Sequence, residues 1–186
     1  NAYNIHHLTD TPDVLLNLFD ELKKLGKEDM VYMFCSTSKV SFAGAGVAAM
    51  ASSEKNLAYY KKLATIQTIG YDKVNQLRHV RYFKDLDGLM GQMKKLKVLL
   101  KPKFDTVINY LEKELAPYGI GSWHKPNGGY FVSFDAPEGC AKRIAQLCRE
   151  GGVVLTGAGA TFPYGKDPKD SNLRIAPSYP PVEELE

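Results

Sequence analysis

The sequence predicts a mixed α/β protein, because helix-like and strand-like patterns alternate along its 186 residues. Apolar residues at three- and four-residue spacing predict helices, and short apolar runs between polar or glycine residues predict strands. Hydrophobic residues make up 44%, aromatic residues 11% and charged residues 24% of the chain. These values are typical of globular proteins and exclude disordered, collagen-like and coiled-coil classes.

The first half of the chain alternates between helices and strands. Gly26 ends the first helical pattern, and Ser53 precedes an acidic residue as a helix N-cap does. The apolar runs are short and follow polar segments, so we expect buried strands there. The predicted elements are helices over 12–25, 53–63 and 71–83 and strands over 30–35 and 43–50.

The second half begins with a helical pattern over 86–115, which Pro102 should kink or divide. A helix of this length often bridges two domains, so we predict one domain over 1–85 and another over 86–186. The remaining predictions are strands over 119–123, 129–134, 153–155 and 172–176, a helix over 140–149 and the first turn of a helix over 182–186. That last incomplete helix and a first residue other than Met suggest a piece of a longer protein.

Charge and cysteine content narrow the functional classes. Lys plus Arg number 24 and Asp plus Glu number 21, so the net charge of +3 favours neither a nucleic acid nor a membrane as partner. No apolar run approaches the roughly 18 residues of a membrane-spanning helix. Cys35, Cys140 and Cys148 lack Cys-x-x-Cys spacing, so we expect buried free thiols and a reducing, cytoplasmic location.

The histidines give no metal signature, because none shares ligand spacing with an acidic residue, and the sequence therefore predicts no metal site. His79 lies in the basic segment 78–81, which we interpret as a solvated or dimer-contact face of a helix. Trp123 and Tyr130 are expected in the apolar core of the second half.

The segment Ser36-Thr37-Ser38-Lys39 directly follows a predicted buried strand. Desolvation disfavours an ammonium ion, so a lysine at such a place could be neutral, and a neutral amine can attack an aldehyde to form an imine. Serine hydroxyls and loop amides could bind a phosphate. An aldehyde and a phosphate together describe pyridoxal phosphate. The alternative is an exposed loop lysine beside turn serines.

Two further residues could serve a site of this kind. Arg174, in a predicted strand, could present its planar guanidinium to a carboxylate, although the residue taken alone is better explained as an edge-strand arginine with its head in water. The Tyr3 hydroxyl could donate a hydrogen bond to a phenolate oxygen of a cofactor. Neither residue indicates a function by itself.

Together and in this order, these features resemble the second half of a fold-type-I, pyridoxal-phosphate-dependent aminotransferase. Within that superfamily the chain is most similar to the MocR-like aspartate aminotransferase group. The resemblance covers nearly all 186 residues and includes the Ser-x-Ser-Lys segment, the long bridging helix, the run Gly128-Gly129-Tyr130-Phe131 and the late Arg174. It implies part of the large-domain sheet over 1–85 and an α+β small domain, truncated at its end, over 86–186, joined by the long helix.

The resemblance also implies the roles of particular residues. Lys39 would form the internal aldimine with pyridoxal 5'-phosphate and act as the catalytic group, and Tyr3 would bind the ring oxygen of the cofactor. Ser36, and less directly Ser38, would contact the phosphate. Arg174 would bind the substrate carboxylate.

Two departures from the family pattern concern the cofactor. The aspartate that keeps the pyridine nitrogen protonated would stand immediately before Asn1, outside this sequence. The arginine that usually follows the lysine by seven or eight residues is replaced by Gly46 and Val47. The phosphate would need another cation or the backbone amides of 44–46, although Gly44-x-Gly46 also suits close strand packing.

The expected function is transamination of an aspartate-like amino acid with a 2-oxo acid such as 2-oxoglutarate, in a cytoplasmic homodimer that binds neither nucleic acid nor membrane. We expect the 186-residue chain by itself to be inactive, because it lacks the aspartate and the first half of the cofactor domain. The alternatives are a non-catalytic aminotransferase-like domain that senses a ligand in a transcription regulator, and an inert folded remnant.

Overall fold

The computed structural model describes residues 2–185 as a mixed α/β chain, which confirms the predicted fold class. The helices are α1 (Leu18–Lys24), α2 (Glu54–Gln67), α3 (Lys73–Phe83), α4 (Leu86–Tyr110) and α5 (Ala141–Glu150). The strands are β1 (Met33–Ser36), β2 (Ala48–Ala51), β3 (Ser122–Trp123), β4 (Val132–Asp135) and β5 (Asn172–Ile175).

The chain forms two compact units. The first unit contains Asn1–Ile5 and Asp13–Lys95, and the second contains His6–Pro12 and Leu96–Glu186. Helix α4 supplies residues to both. The assignment of 1–85 and 86–186 to the two domains of a larger enzyme stays a prediction.

In the first unit, β1 and β2 pair antiparallel, with Met33 opposite Ala51 and Ser36 opposite Ala48. Both strands lie close to their predicted positions, but the prediction that they are buried is wrong. The Phe34 side chain is 63% exposed. Within residues 2–185, no second layer buries either face of this two-stranded sheet.

Side-chain caps determine where the helices of the first unit begin. The Ser53 hydroxyl accepts a hydrogen bond from Asn56 N–H at the start of α2, and the Asp72 carboxylate does the same for Asn75 N–H at the start of α3. Helix α1 begins only after Asn17, later than predicted, because the apolar residues 14–16 are exposed and no burial holds an earlier turn.

Helix α4 runs through Pro102, so the predicted division of the helix there is wrong. Proline cannot donate to the carbonyl four residues earlier, which belongs to Val98. Val98 and Pro102 are both exposed, so that carbonyl can bind water instead. The helical path continues as a wider turn over Leu111–Leu115, where the predicted pattern also ends.

The second unit has its own apolar core. Strands β3, β4 and β5 form an antiparallel sheet in that order, with Phe134 opposite both Trp123 and Leu173. Trp123 and Tyr130 pack against this core, as predicted. Its buried residues form two clusters: Leu8, Leu100, Phe104 and Val132, and then Phe134, Ala136, Ala141 and Leu173.

Several smaller predictions are wrong. Residues 153–155 form no strand, since Val153 and Val154 are exposed and the apolar run packs too little to be fixed as one. The cysteines are free but not buried: Cys35 is exposed, and Cys140 and Cys148 are half-buried. The last predicted helix is a single 3-10 turn over Val182–Glu184, and Asn1 and Glu186 lie outside the described residues. Among the described helices, none has the length and apolar character that a bilayer crossing requires.

Candidate functional site

Lys39 lies in a tight turn immediately after β1, as the sequence predicted. The Ser38 N–H donates to Ser36 Oγ at 3.1 Å. The N–H groups of Val40 and Ser41 both donate to the Thr37 carbonyl at 2.9 Å, which closes one turn of backbone with Lys39 at its centre. The serine hydroxyl at 36 therefore lies at the start of the turn that presents the lysine.

The chain from Thr37 to Val47, which we call the Lys39 loop, is closed at its base. Thr37 N–H donates to the Val47 carbonyl, and Val47 N–H donates to Thr37 Oγ1, both at 2.9 Å. These bonds extend the β1–β2 pairing beyond Ser36 and Ala48. Val40, within the loop, is buried. The loop therefore has a defined path although its residues form no regular element.

The Lys39 side chain is exposed, so the expectation that its amine lies buried is wrong for this chain. The cause is the same as for the strand that precedes it: none of the described residues forms a layer over this edge of the sheet. Exposure does not test the chemical role of Lys39, which stays a prediction.

Gly46 is tightly enclosed by the turn of the lysine. A Cβ atom at this position would lie 3.2 Å from Ser38 N and 3.4 Å from Thr37 Oγ1. Gly44 has room for a Cβ, since no atom would lie within 4 Å of it. Glycine is favoured there because φ is +76°, a backbone conformation that other residues rarely adopt. The close approach at Gly46 agrees with the packing interpretation of Gly44-x-Gly46, because a side chain here would crowd the backbone of Ser38.

His79 is the functional-site candidate that the sequence analysis missed. It lies in α3 and is 6% exposed, so its assignment to a solvated helix face is wrong. Its Nδ1 lies 2.9 Å from the Asn75 carbonyl, and its Nε2 lies 2.7 Å from Ser41 Oγ and 3.1 Å from Thr37 Oγ1. The ring therefore contacts the Lys39 loop on both sides of the lysine. Asn75, His79 and Phe83, at four-residue spacing, are the sequence signal that marks this helix face as inward.

A cleft of about 430 Å³ lies beside the Lys39 loop in the first unit. The Arg78 guanidinium lies 5.7 Å from the centre of the Phe42 ring, and Asn75 Nδ2 donates to the Ala45 carbonyl at 2.9 Å. The lining residues are Gly44, Ala45, Gly46, Asp72, Val74, Asn75 and Arg78. Arg78 and Gly46 thus line the same cleft, and Arg78 contributes a positive charge to it.

Tyr3 lies in a turn over 2–5 of the first unit and is half-buried. Its predicted contact with a cofactor oxygen remains a prediction.

Arg174 lies in β5 of the second unit, opposite Ser133 of β4. Its guanidinium carbon lies 4.3 Å from the centre of the Phe131 ring, a cation–π arrangement, and its Nη2 donates a long bond of 3.4 Å to Thr156 Oγ1. Its Nε is buried and has no hydrogen-bond acceptor among residues 2–185. The head of Arg174 is therefore held against an aromatic ring and is half-buried, although β5 is an edge strand of its sheet. Its role in substrate binding stays a prediction.

The charge of Arg174 is not neutralised within the described part of the chain, where the ion pairs involve other residues. A half-buried guanidinium without a carboxylate partner can bind an anionic ligand through charge-assisted hydrogen bonds. Residues 2–185 also contain no group of three His, Cys, Asp or Glu side chains arranged to hold a metal ion.

Asp167 fixes the segment that leads into the strand of Arg174. One carboxylate oxygen accepts from the N–H groups of Ser171 and Asn172, both at 2.8 Å, and the other accepts from Lys169 N–H at 2.9 Å. These backbone hydrogen bonds, that of Asn172 first, hold the pKa of the Asp167 carboxyl below its usual value of 3.8. The backbone at the start of β5 is therefore held in place by hydrogen bonds to a charged carboxylate.

Comparison with known proteins gives a family match over the whole sequence: the model of the aspartate amino-transferase family matches residues 1–186. An aspartate aminotransferase of Corynebacterium glutamicum is 45% identical over 186 residues, which are 100% of this chain and 43% of that protein. The chain thus spans less than half the length of this curated relative.

Solved structures agree with the fold. A crystal structure of an aspartate transaminase from Corynebacterium glutamicum superposes with a TM-score of 0.94 at 45% identity, over 100% of this chain and 44% of that one. An α-aminoadipate aminotransferase from Thermus thermophilus, complexed with N-(5'-phosphopyridoxyl)-L-leucine, superposes with a TM-score of 0.78 at 19% identity, over 100% of this chain and 46% of that one. The second likeness concerns the fold alone.

Proposed function

The chain belongs to the aspartate amino-transferase family, and from this premise we propose that the complete protein is a pyridoxal-phosphate-dependent aminotransferase. Its substrates are an aspartate-like amino acid and a 2-oxo acid such as 2-oxoglutarate. The observation that carries the proposal is the closed loop that presents Lys39 directly after β1, with the Ser36 hydroxyl at its start. The relative from Corynebacterium glutamicum, named an aspartate aminotransferase, supports the choice of substrate.

The residues present suit this cofactor. Lys39 offers a primary amine in an exposed turn, and the hydroxyls of Ser36 and Ser38 beside it are groups that can bind a phosphate. Lys39, Tyr3, Ser36 and Ser38 would hold the cofactor. When bound, it supplies an aldehyde for attachment to Lys39 and a ring that accepts electrons from the substrate.

The chain's own residues then have distinct tasks. Lys39 Nζ would anchor the cofactor. Once the amino acid had taken its place, the freed amine would accept the proton from the substrate α-carbon as a general base and deliver it as an acid to the carbon that had carried the aldehyde. Arg174 binds the α-carboxylate and so orients the scissile C–H bond. Both half-reactions of transamination use the same groups.

The surroundings of Lys39 must be completed by residues beyond this chain. The exposed lysine and the exposed faces of β1 and β2 support the proposal that the chain is the C-terminal part of a longer enzyme, whose remaining half covers this edge. We further propose a homodimer of the MocR-like aspartate aminotransferase group. The free thiols support a reducing, cytoplasmic location.

The lysine assignment can be tested in the complete protein. After incubation with pyridoxal phosphate and reduction with borohydride, peptide mapping should find the label on Lys39. Lys39→Ala should lower turnover by at least about 10²- to 10⁴-fold, the usual contribution of general acid–base catalysis. Lys62→Ala, in the exposed part of α2, is the matched control and should leave turnover unchanged.

A label on another lysine, or turnover retained by Lys39→Ala, would contradict the proposal. A protein that binds pyridoxal phosphate at Lys39 but turns over no amino acid would favour the alternative of a ligand-sensing domain in a transcription regulator.

A further inference from the structure

The imidazole of His79 contacts both ends of the turn that has Lys39 at its centre. Thr37 and Ser41 each stand two residues from the lysine, and the Thr37 carbonyl accepts the Ser41 N–H at 2.9 Å. His79 Nε2 lies 3.1 Å from Thr37 Oγ1 and 2.7 Å from Ser41 Oγ. One buried side chain from a distant helix thus closes the turn from beneath.

The hydrogen-bond partners assign the tautomer of this ring. Nδ1 faces the Asn75 carbonyl at 2.9 Å, and a carbonyl can only accept, so Nδ1 carries the proton. In the neutral ring, Nε2 is then an acceptor for a hydroxyl, and Ser41 Oγ at 2.7 Å is its shorter contact. The alternative acceptor for the Ser41 hydroxyl, the Thr37 carbonyl, lies farther away at 3.3 Å.

Thr37 connects His79 to the base of the Lys39 loop through hydrogen bonds of its hydroxyl. Its Oγ1 accepts the Val47 N–H at 2.9 Å while it contacts His79 Nε2. The ring of His79 also packs edge-on against Phe42 of the same loop, with centroids 5.8 Å apart. Three residues of the Lys39 loop therefore depend on one imidazole for their positions.

We propose that His79 is a positioning residue for Lys39: its imidazole holds Thr37 and Ser41 and thereby fixes the backbone from which the lysine side chain projects. The inference rests on the proposed function, because it concerns the aim of the lysine amine toward cofactor and substrate. His79 itself touches neither. Its contribution is to keep the loop in one conformation before the ligands arrive, since misplacement of a reacting group by about 1 Å can lower a rate about 10²-fold.

The test uses His79→Leu, His79→Gln and Ser41→Ala in the complete protein. Leucine fills space but accepts no hydrogen bond, whereas the glutamine Oε1 can take the place of Nε2 as acceptor. We expect His79→Leu to lower kcat by about 10- to 100-fold with KM for the amino acid changed less than about threefold. His79→Gln should recover most of this loss. The double variant His79→Leu/Ser41→Ala should lose no more than His79→Leu alone, because both remove the same contact.

A second readout does not depend on activity. In the protein without cofactor, hydrogen–deuterium exchange of the peptide covering 37–47 should be faster in His79→Leu than in the wild type and close to wild type in His79→Gln. Ser53→Ala is the matched control: it removes the N-cap of α2 in the same unit but contacts no residue of the Lys39 loop, and should leave both kcat and this exchange unchanged.

The inference is overturned if His79→Leu keeps kcat within twofold of Ser53→Ala, if His79→Gln is no better than His79→Leu, or if exchange over 37–47 is the same in all variants. If His79→Leu does not fold, kcat and the exchange over 37–47 are compared between His79→Gln and Ser41→Ala instead. Ser41→Ala should then have the lower kcat and the faster exchange, and equal values for the two variants would overturn the inference. A wild-type borohydride label on another lysine would instead refute the proposed function, and exchange over 37–47 would still test the contact of His79 with the loop.

Discussion

The loop that carries Lys39 and the strand that carries Arg174 are held in place by different physical means. Hydrogen bonds between a buried histidine, two hydroxyls and the backbone fix the Lys39 loop. Arg174 lies in β5 of a three-stranded sheet. Its neighbour in that strand, Leu173, is 2% exposed and is part of an apolar core. The first arrangement depends on a few directional contacts, and the second depends on packing.

The same contrast extends to the two units. Both apolar clusters belong to the second unit. Each unit exposes large apolar side chains, but in the first unit, where Phe34 and Ile66 are examples, the described residues form no such cluster beneath them. Large exposed apolar surfaces mark places where another part of a protein packs. The comparison teaches that the second unit contains its own packing partners, while the exposed apolar side chains of the first unit support the proposal that further residues of a longer enzyme cover them.

The largest expected effect is on the free energy of unfolding, which should fall much more when a buried aromatic residue of the second unit is truncated than when an exposed one of the first unit is. Phe104 is 3% exposed, so Phe104→Ala should lower the free energy of unfolding by about 3–5 kcal/mol, as large core truncations do. Phe34 is 63% exposed, so Phe34→Ala should change it by less than about 0.5 kcal/mol in the 186-residue chain. Urea denaturation, followed for Phe104→Ala by the fluorescence of Trp123 and for both variants by circular dichroism, measures the difference.

In the complete protein the contrast should shrink, because Phe34 would be covered there and its truncation would become destabilising. Equal small effects of Phe34→Ala in chain and complete protein would show that β1 has no partner outside the chain.

The next effect concerns the guanidinium of Arg174. Arg174→Leu should lower kcat/KM for the amino acid about 100-fold, because charge-assisted hydrogen bonds of up to about 3 kcal/mol are lost. Arg174→Lys keeps the charge but not the planar fork or the stacking on Phe131, so it should recover only part of the loss. Steady-state kinetics with Arg149→Lys, an exposed arginine of α5, as control would check this. Wild-type kinetics in Arg174→Leu would remove Arg174 from the site.

A smaller effect tests the polar contacts of the first unit. Ser53→Ala removes the N-cap of α2 and the hydrogen bond from Ser53 Oγ to Asp29, and should lower the free energy of unfolding by about 1 kcal/mol. Thermal unfolding followed by circular dichroism measures it. Ser133→Ala, at an exposed position of β4, provides a comparison in the second unit and should have less effect.

The smallest effect is a dependence on pH. Hydrogen bonds from Ser53 and then Lys55 hold the pKa of Asp29 below its usual value, whereas backbone N–H groups do so for Asp167. Both carboxyls bind protons less readily in the folded chain than in the unfolded chain. Their stabilisation is therefore present above the unfolded pKa of about 3.9 and is lost as pH falls through the folded pKa.

Ser53→Ala should thus raise the pKa of Asp29 toward its usual value and leave that of Asp167 unchanged, which a titration of the carboxyl carbons by NMR would detect. A shift at both residues, or at neither, would contradict the assignment of Ser53 as the main cause at Asp29.

Apart from the strand predicted over 153–155, the strands and helices of the second unit could be predicted because their burial partners are within the sequence. Val132 and Phe134 are buried and Ser133 and Asp135 are exposed, so β4 shows the alternation of a strand with one face on a core. In the first unit the apolar runs located β1 and β2 but predicted the wrong burial. An apolar run records what a residue meets in the complete fold, and this chain spans 43% of its curated relative.

The candidate site was predictable only in part. The turn at Lys39 follows from polar residues after a strand, but the contact of His79 with that turn joins residues about forty positions apart, which no local pattern reports. The basic residues beside His79 suggested an exposed face, although neighbouring residues of a helix point about 100° apart. The continuity of α4 through Pro102 was also missed, because exposure to water replaces the hydrogen bond that proline removes.

The stacking of Arg174 on Phe131 has a consequence for what the second unit can recognise. The guanidinium carbon lies 4.3 Å from the centre of that ring, so the ring restricts the directions from which a ligand can approach the cation. If Arg174 binds the substrate carboxylate, as we propose, a carboxylate that pairs with two of its N–H groups would lie in the plane of the guanidinium, and its substituents would acquire a fixed orientation. The arginine would then serve as a template for the geometry of its ligand as well as a countercharge.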